Sequence, residues 1–461
     1  MKLKFQVISR LLFFFALLPL ICCSKNNEET IIQTPVAGDP AQYETPFQGV
    51  PNTSDIAMYE INERAFTTSG NLAAIIPRLD AIKSLGVNVI WLMPIYQIGV
   101  LNSINSPYCV KNYTEVNSEF GNLEDLRTLV REAHLRGMSV ILDWVANHTS
   151  WDNPWIQNKS WYSQDSNGAI IHPAGTTWTD VADLNFDNAQ MRLEMIKDLK
   201  YWVLTANVDG FRCDAADMVP FAFWKQAIDA LKAIPNRKLI MLAEGSRSDH
   251  FQAGFQLNFG WDFYTKNKGV FGSNQSAVDF YNTHLSEYAS IPISSNKLRF
   301  TSNHDECAWD NTPLVLFGGK KASITAFVIS TFMGGVPLIY NGQEVGCSVK
   351  LPFFSKSPID WTTNPDMLIA YQGIMGIRTN HLALRTGDLV SYSDADITVF
   401  KRKKDTDEVL VLANTRNATK SFSIPTILQN TVWKDALGGT PITLGASLSL
   451  TSFEYRVLVK Q

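Results

Sequence analysis

Gly210-Phe211-Arg212-Cys213-Asp214 is a short apolar run that turns polar at its end, and its last residue is an acid. The same ending recurs in Leu242-Ala243-Glu244-Gly245 and in Phe300-Thr301-Ser302-Asn303-His304-Asp305. Asp214 and Glu244 are 30 residues apart, about one strand plus its crossover helix, and Asp305 follows 61 residues later, roughly two more such units. That spacing predicts an α/β fold of the (β/α)8 TIM-barrel type. There, residues at the C-terminal ends of the strands converge on one face, so the three carboxyls share a pocket.

Eight strands, these three among them, are expected to begin near Ala57, Asn88, Ser139, Asp209, Lys238, Leu257, Leu298 and Val336, alternating with helical patterns. One helix is legible in detail: Asn122 can cap it, Leu123, Leu126, Leu129, Val130 and Ala133 form its apolar stripe, and Gly137 closes it. A second stripe, Leu79, Ile82 and Leu85, ends at Gly86. Strands 3 and 4 start 70 residues apart, so an insertion of about 40 residues is expected between Trp144 and Asn188. Five of the chain's 12 Trp residues (144, 151, 155, 161 and 178) fall there, and at least half should pack while others offer flat faces to a ligand. From about Asp388 the pattern alternates with period two, in Ile397-Thr398-Val399-Phe400, Val409-Leu410-Val411-Leu412, Ser421-Phe422-Ser423-Ile424 and Tyr455-Arg456-Val457-Leu458. Short strands of this kind predict a C-terminal antiparallel β-sandwich.

A fourth polar strand end is Ile141-Leu142-Asp143-Trp144-Val145-Ala146-Asn147-His148. Taken in order, Asp-x-x-x-Asn-His, Gly-Phe-Arg-x-Asp, an isolated strand-end Glu and Asn-His-Asp resemble the α-amylase family, glycoside hydrolase family 13. Ser106-Pro107-Tyr108, Val181-Ala182-Asp183-Leu184-Asn185 and Gly335-Val336-Pro337-Leu338-Ile339-Tyr340-Asn341-Gly342-Gln343-Glu344 add to the resemblance, which runs from about Met58 to the C-terminus. It implies a barrel over 56–386, a small B domain inserted over 144–188, and a sandwich over 387–461. It also implies roles for Asp214 as nucleophile, Glu244 as general acid and base, and Asp305 as a third carboxylate that bonds the sugar 2- and 3-hydroxyls. Asn147 and Asp183 match positions that hold a structural Ca2+ in many members, and both offer the hard oxygens that ion takes. Two departures stand out. Ala215-Ala216-Asp217-Met218 replaces a frequent Lys-His that contacts sugars on the leaving-group side, and Ala182 replaces a frequent Pro.

The residues themselves support those roles. Cleaving a glycosidic bond with retention takes one ionised carboxylate and one protonated carboxyl flanking the bond. Arg212 lies two residues before Asp214 on the same strand, so both side chains point to one face and the cation favours an ionised Asp214. Glu244 follows Leu239-Ile240-Met241-Leu242-Ala243 with no cation beside it on the strand, and an apolar surround suits it to proton transfer. His148 and His304 are expected to donate to sugar hydroxyls, Tyr108 to stack on the ring being cleaved, and Asp143 to orient Arg212 without reacting.

Net charge is −4 and, apart from the four residues Lys401-Arg402-Lys403-Lys404, no Lys or Arg run occurs, which argues against the footprint of a nucleic-acid binder. A monomer acting on an α-glucan is expected. Lys2, Lys4 and Arg10 precede an apolar run from Leu11 to Ile21 that is too short to span a bilayer. With Cys22 and Cys23 after it, residues 1–22 resemble a bacterial lipoprotein signal. Such a signal would attach lipid at Cys23, place the exported protein on a membrane, most simply the outer one, and make residues 23–55 a flexible tether. Cys307 and Cys347 follow neighbouring strands, so a disulfide between them is possible. The expected activity is retaining hydrolysis of α-1,4 bonds. Open alternatives are α-glucosidase, debranching or transglycosylating action on the same barrel, and a non-catalytic starch-binding lipoprotein.

Overall fold

A computed structural model describes residues 38–460. Eight parallel strands close into a barrel: β1 (Met58–Ile61), β2 (Val89–Leu92), β3 (Ser139–Trp144), β4 (Gly210–Cys213), β5 (Ile240–Ala243), β6 (Leu257–Phe259), β7 (Asn296–Arg299) and β8 (Val336–Tyr340). Neighbours in sequence are neighbours in the barrel, and β1 closes on β8 with Met58 opposite Leu338. The strands are mostly apolar because both of their faces are buried, with β7 (Asn296-Lys297-Leu298-Arg299) the exception. Alternate residues divide between two cores. Met58, Val89, Trp91, Ile141, Leu242 and Leu298 fill the barrel, while Tyr59, Ile90, Leu92, Val140 and Leu142 pack outward on the helices. At the start of β4 the backbone of Gly210 has φ +145°, and a Cβ there would collide with the carbonyl of Ile240. Only glycine permits that close strand pairing.

The capped helix spans Leu123–Leu135. Asn122 Oδ1 accepts from the N–H groups of Glu124 (2.8 Å) and Asp125 (3.2 Å), and Asp125 Oδ2 accepts from Asn122 N–H in return. Leu126, Leu129, Val130 and Ala133 face the barrel, each large one worth roughly 1.5–3 kcal/mol when buried. Between β3 and the helix Ala189–Thr205 lies the insertion, whose one regular pairing is His148–Ser150 antiparallel to Val181–Asp183. Trp144 is fully buried, Trp151, Trp155 and Trp161 pack half-buried, and Trp178 is 39 % exposed at the edge of a cleft.

After the helix Leu382–Thr386, six antiparallel strands form one sheet, and the pair Lys420–Ser423 and Ser447–Leu450 forms a second. Ile397, Val399, Leu410, Leu412, Phe422, Leu450 and Leu458 form the core between them, as the period-two pattern requires. From Asp39 on, barrel, insertion and sandwich make one compact unit.

One expectation is corrected and one open alternative is resolved. The tether was expected to be free to residue 55, but its later part is fastened to the barrel. Tyr43 N–H donates to Leu204 O at 2.7 Å under the guanidinium of Arg127, Phe47 stacks on His134 at 4.2 Å, and Asp55 pairs with Arg385. Tyr43, Phe47 and Val50 are the apolar residues that composition alone underrates. Cys307 and Cys347 are free thiols, as are Cys109 and Cys213. The expected signal and its Cys23 lie outside the described residues.

Candidate active site

Pairing in the barrel fixes where the acids stand. Cys213 lies opposite Ala243, so the next residues, Asp214 and Glu244, leave adjacent strands at the same level. Asp214 N–H donates to Trp144 O and Glu244 N–H to Cys213 O, each at 2.9 Å, which continues both ladders one residue beyond the strand. Ala215 then takes a left-handed conformation (φ +43°, ψ 40°), unusual for a residue with a Cβ. Its N–H donates to Glu244 Oε2 at 2.7 Å. Asp305 follows β7, and its carboxyl lies 3.3 Å from His304 Nε2.

These groups open on one cleft of about 390 Å³, lined by Asp214, Glu244, Asp305, Tyr108, His148 and His304 among others. Below it lies Arg212, fully buried. Its Nη1 donates to Asp214 Oδ1 and to Asp143 Oδ1, both at 2.8 Å. Its Nη2 stands 3.0 Å from Glu244 Oε2 without the alignment of a hydrogen bond. Glu244 has no cation on its own strand, as expected, but the Arg212 guanidinium is long enough to reach it from β4 to β5. Asp143 has the positioning place expected of it, for Trp91 Nε1 (3.1 Å) and the Tyr108 hydroxyl (3.0 Å) both donate to its Oδ2.

Burial is the largest influence on all four carboxyls and pushes each above its usual range, Asp143 to about 8 and Asp305 to about 7, while Arg212 opposes the shift at every one. One guanidinium cannot balance four buried anions, so the cluster retains protons near neutral pH. Asp214, with the aligned hydrogen bond to Arg212, is better held as an anion than Glu244, whose Arg212 contact is not aligned as one.

His304 is held from both sides. Nδ1 is 2.5 Å from Glu60 Oε1, and Nε2 is 2.7 Å from the Tyr108 hydroxyl. The Tyr108 ring stacks on His304 at 5.4 Å, with the Arg212 guanidinium 5.8 Å from its centroid. His148 sits edge-on to Trp178, and burial lowers it to about 4, so it is neutral at neutral pH. Asn147 and Asp183 do not line the cleft. Asp183 is paired with His148 in the ladder, Asn147 precedes that pair and accepts at its carbonyl from Leu184 N–H at 3.1 Å, and burial raises the Asp183 carboxyl. Their side chains offer three oxygens, one amide and two carboxylate, of the six to eight that calcium takes, a partial fit.

Two side chains of the site, one beneath the cleft and one in it, escape a motif reading. Glu60, fully buried at the end of β1, carried a usable signal: an acid in the apolar run Met58-Tyr59-Glu60-Ile61. Trp309, 64 % exposed and edge-on to Phe353 and Phe354, carried none, because the segment Glu306–Asp310 is a π-turn with neither helical nor strand period.

The α-amylase catalytic domain profile matches residues 41–170 and 175–366, and the chain belongs to that family of glycoside hydrolases, enzymes that act on α-glucans. It is 26 % identical to α-amylase 3 of Dictyoglomus thermophilum, over 92 % of this chain and 93 % of that one. It is 25 % identical to a cyclomaltodextrinase of Thermoanaerobacter pseudethanolicus, over 75 % and 63 % of the two chains. The crystal structure of an α-amylase from Lactobacillus plantarum superposes with a TM-score of 0.80 at 25 % identity, covering 88 % of this chain and 99 % of that one.

Proposed function

We propose that this enzyme hydrolyses α-1,4-glucosidic bonds in starch-like polymers or maltooligosaccharides with retention of configuration. The observation that carries the reading is the sharing of Arg212 by Asp214 and Glu244 in a cleft that also holds Asp305. Asp214 attacks the anomeric carbon as the ionised member. Glu244, kept protonated by burial, gives its proton to the leaving oxygen and then takes one from the water that cleaves the glycosyl-enzyme. Asp305 accepts hydrogen bonds from the sugar 2- and 3-hydroxyls, which strengthen as the ring approaches the oxocarbenium-like state. Tyr108 and the neutral imidazole of His148, both lining the cleft, hold the same ring.

NMR of the first product tests this. The α-anomer is expected, and initial β-anomer would sink the retaining assignment. Product chromatography on amylose, pullulan, maltotriose and trehalose separates α-amylase action from α-glucosidase, debranching or transglycosylating action.

Two further parts of the proposal lie outside the cleft. Lipid on Cys23 anchors the exported enzyme to a membrane, and Cys23→Ala should move activity to the soluble fraction. Recovery of wild-type protein wholly in that fraction would refute it. A structural calcium is held by Asn147 and Asp183. Chelation should then lower Tm in the wild type and leave an Asn147→Ala/Asp183→Ala variant unmoved, whereas an unchanged wild-type Tm would remove calcium from the account.

A further inference from the structure

At the opposite mouth of the barrel lies a second cavity, of about 730 Å³. Lys238 before β5, Asn296 at the start of β7 and Gly334-Gly335 before β8 place it at the N-terminal ends of the strands, against the sandwich strand Ile397–Lys404. Four cations line it, Lys238, Arg385, Arg402 and Lys404, and no Asp or Glu does, although the chain as a whole has net charge −4. Two acids stand close: Asp55 pairs with Arg385, and Asp388, between the lining residues Gly387 and Leu389, acts on Arg402.

Arg402 is the buried member, 5 % exposed. Its Nε donates to Ala383 O at 3.2 Å and its Nη1 to Met333 O at 2.6 Å, while Nη2 has no hydrogen-bond partner among the described residues. The guanidinium is thus fixed on two sides and free on the third. The site is built to hold it: Gly334 has φ +141°, and a Cβ there would stand 3.0 Å from Arg402 Nη1 and 2.8 Å from His284 Cε1. Burial together with the cations Arg299 and Arg402 keeps His284 far below its ordinary range, so it adds no charge but can still bond. A fixed guanidinium with one free nitrogen, Lys404 beside it and no carboxylate in the lining itself suit a phosphate group. Ile291, Ile293 and Leu389 provide apolar wall beside them, and the volume matches that of small-molecule sites.

We propose that this cavity binds a phosphate-bearing ligand, with Arg402 and Lys404 as its principal contacts. The site is independent of the hydrolytic reading. Calorimetry of the full-length enzyme with inorganic phosphate and with glucose 6-phosphate tests it, alongside flotation with phosphatidylcholine vesicles with and without phosphatidylglycerol. Saturable binding that weakens about tenfold or more in Lys404→Glu, with starch hydrolysis unchanged, is the expected result. Arg402→Gln should abolish binding, and Lys404→Glu carries the test if that variant fails to fold. Binding of soluble phosphates identifies a free ligand, and charge-dependent flotation alone, lost in Lys404→Glu, identifies a lipid headgroup. No binding to any of these, or binding unchanged in Lys404→Glu, overturns the proposal.

Discussion

Glu60 Oε1 and His304 Nδ1 lie 2.5 Å apart, joining the end of β1 to the turn after β7 across the mouth of the barrel. The contact fixes the imidazole so that Nε2 is presented to Tyr108 and Asp305. Glu60→Gln keeps an acceptor for Nδ1–H but removes the charge. We expect a folded enzyme with lower kcat/KM, whereas Glu60→Ala should cost roughly 2–4 kcal/mol of stability by leaving a hole and an unpaired N–H. Urea unfolding and steady-state kinetics read the two effects. Unchanged kinetics in Glu60→Gln would mean that the pair does not position His304.

Asp214→Asn should lower hydrolysis by several orders of magnitude on every substrate, because no other carboxylate is placed to form the covalent intermediate. Glu244→Gln should fail on starch yet keep glycosylation by an α-glucosyl fluoride, whose leaving group needs no proton. A burst measurement with the fluoride distinguishes them. Equal loss on both substrates would remove Glu244 from the acid role.

Arg212 lowers the pKa of every carboxyl around it against the opposing effect of burial. In Arg212→Lys one ammonium cannot occupy both Nη positions, so the carboxyls should titrate at higher pH. The acid limb of kcat/KM, measured with an activated fluoride to bypass protonation, should move upward. A limb that stays in place would show that burial alone sets the ionisation of Asp214.

The barrel was legible because its signals are local: an apolar run ending in an acid, a cap at Asn122, a glycine after each stripe. The convergence of Asp214, Glu244 and Asp305 followed from strand order without knowledge of any contact. What escaped depended on reach between elements. That Arg212 touches Glu244 is a matter of side-chain length across two strands, and that Phe47 stacks on His134 depends on where a segment without period comes to rest. The choice between Cys307 and Cys347 as thiols or as a bridge was likewise a question of distance, which proximity in strand order does not answer.

Trp309 stands in the cleft on the turn that carries Asp305, its exposed ring braced edge-on by Phe353 and Phe354. Such a ring suits stacking on a neighbouring glucosyl unit. Trp309→Ala should raise KM for maltooligosaccharides by a factor of about 2–10, the range expected for an aromatic contact of 0.5–1.5 kcal/mol, with a smaller change in kcat. Trp309→Phe should recover most of the loss. Equal KM values in wild type and Trp309→Ala would place the sugar chain elsewhere.

Asp198, in the helix Ala189–Thr205 and away from the cleft, is 6 % exposed, and burial, aided by Glu194, raises its carboxyl to about 7. Its folded pKa therefore lies above the unfolded value, so the folded state favours the protonated form. Stability from this group is highest below about pH 4, falls as pH rises to about 7, and is flat beyond, at roughly 1.4 kcal/mol per unit of pKa difference. Asp198→Asn keeps the shape and cannot ionise. The variant should gain on the wild type progressively between pH 4 and 7 and hold that gain at pH 8, which thermal unfolding across the range would measure. A difference that does not change with pH would show that Asp198 is solvated well enough to titrate normally.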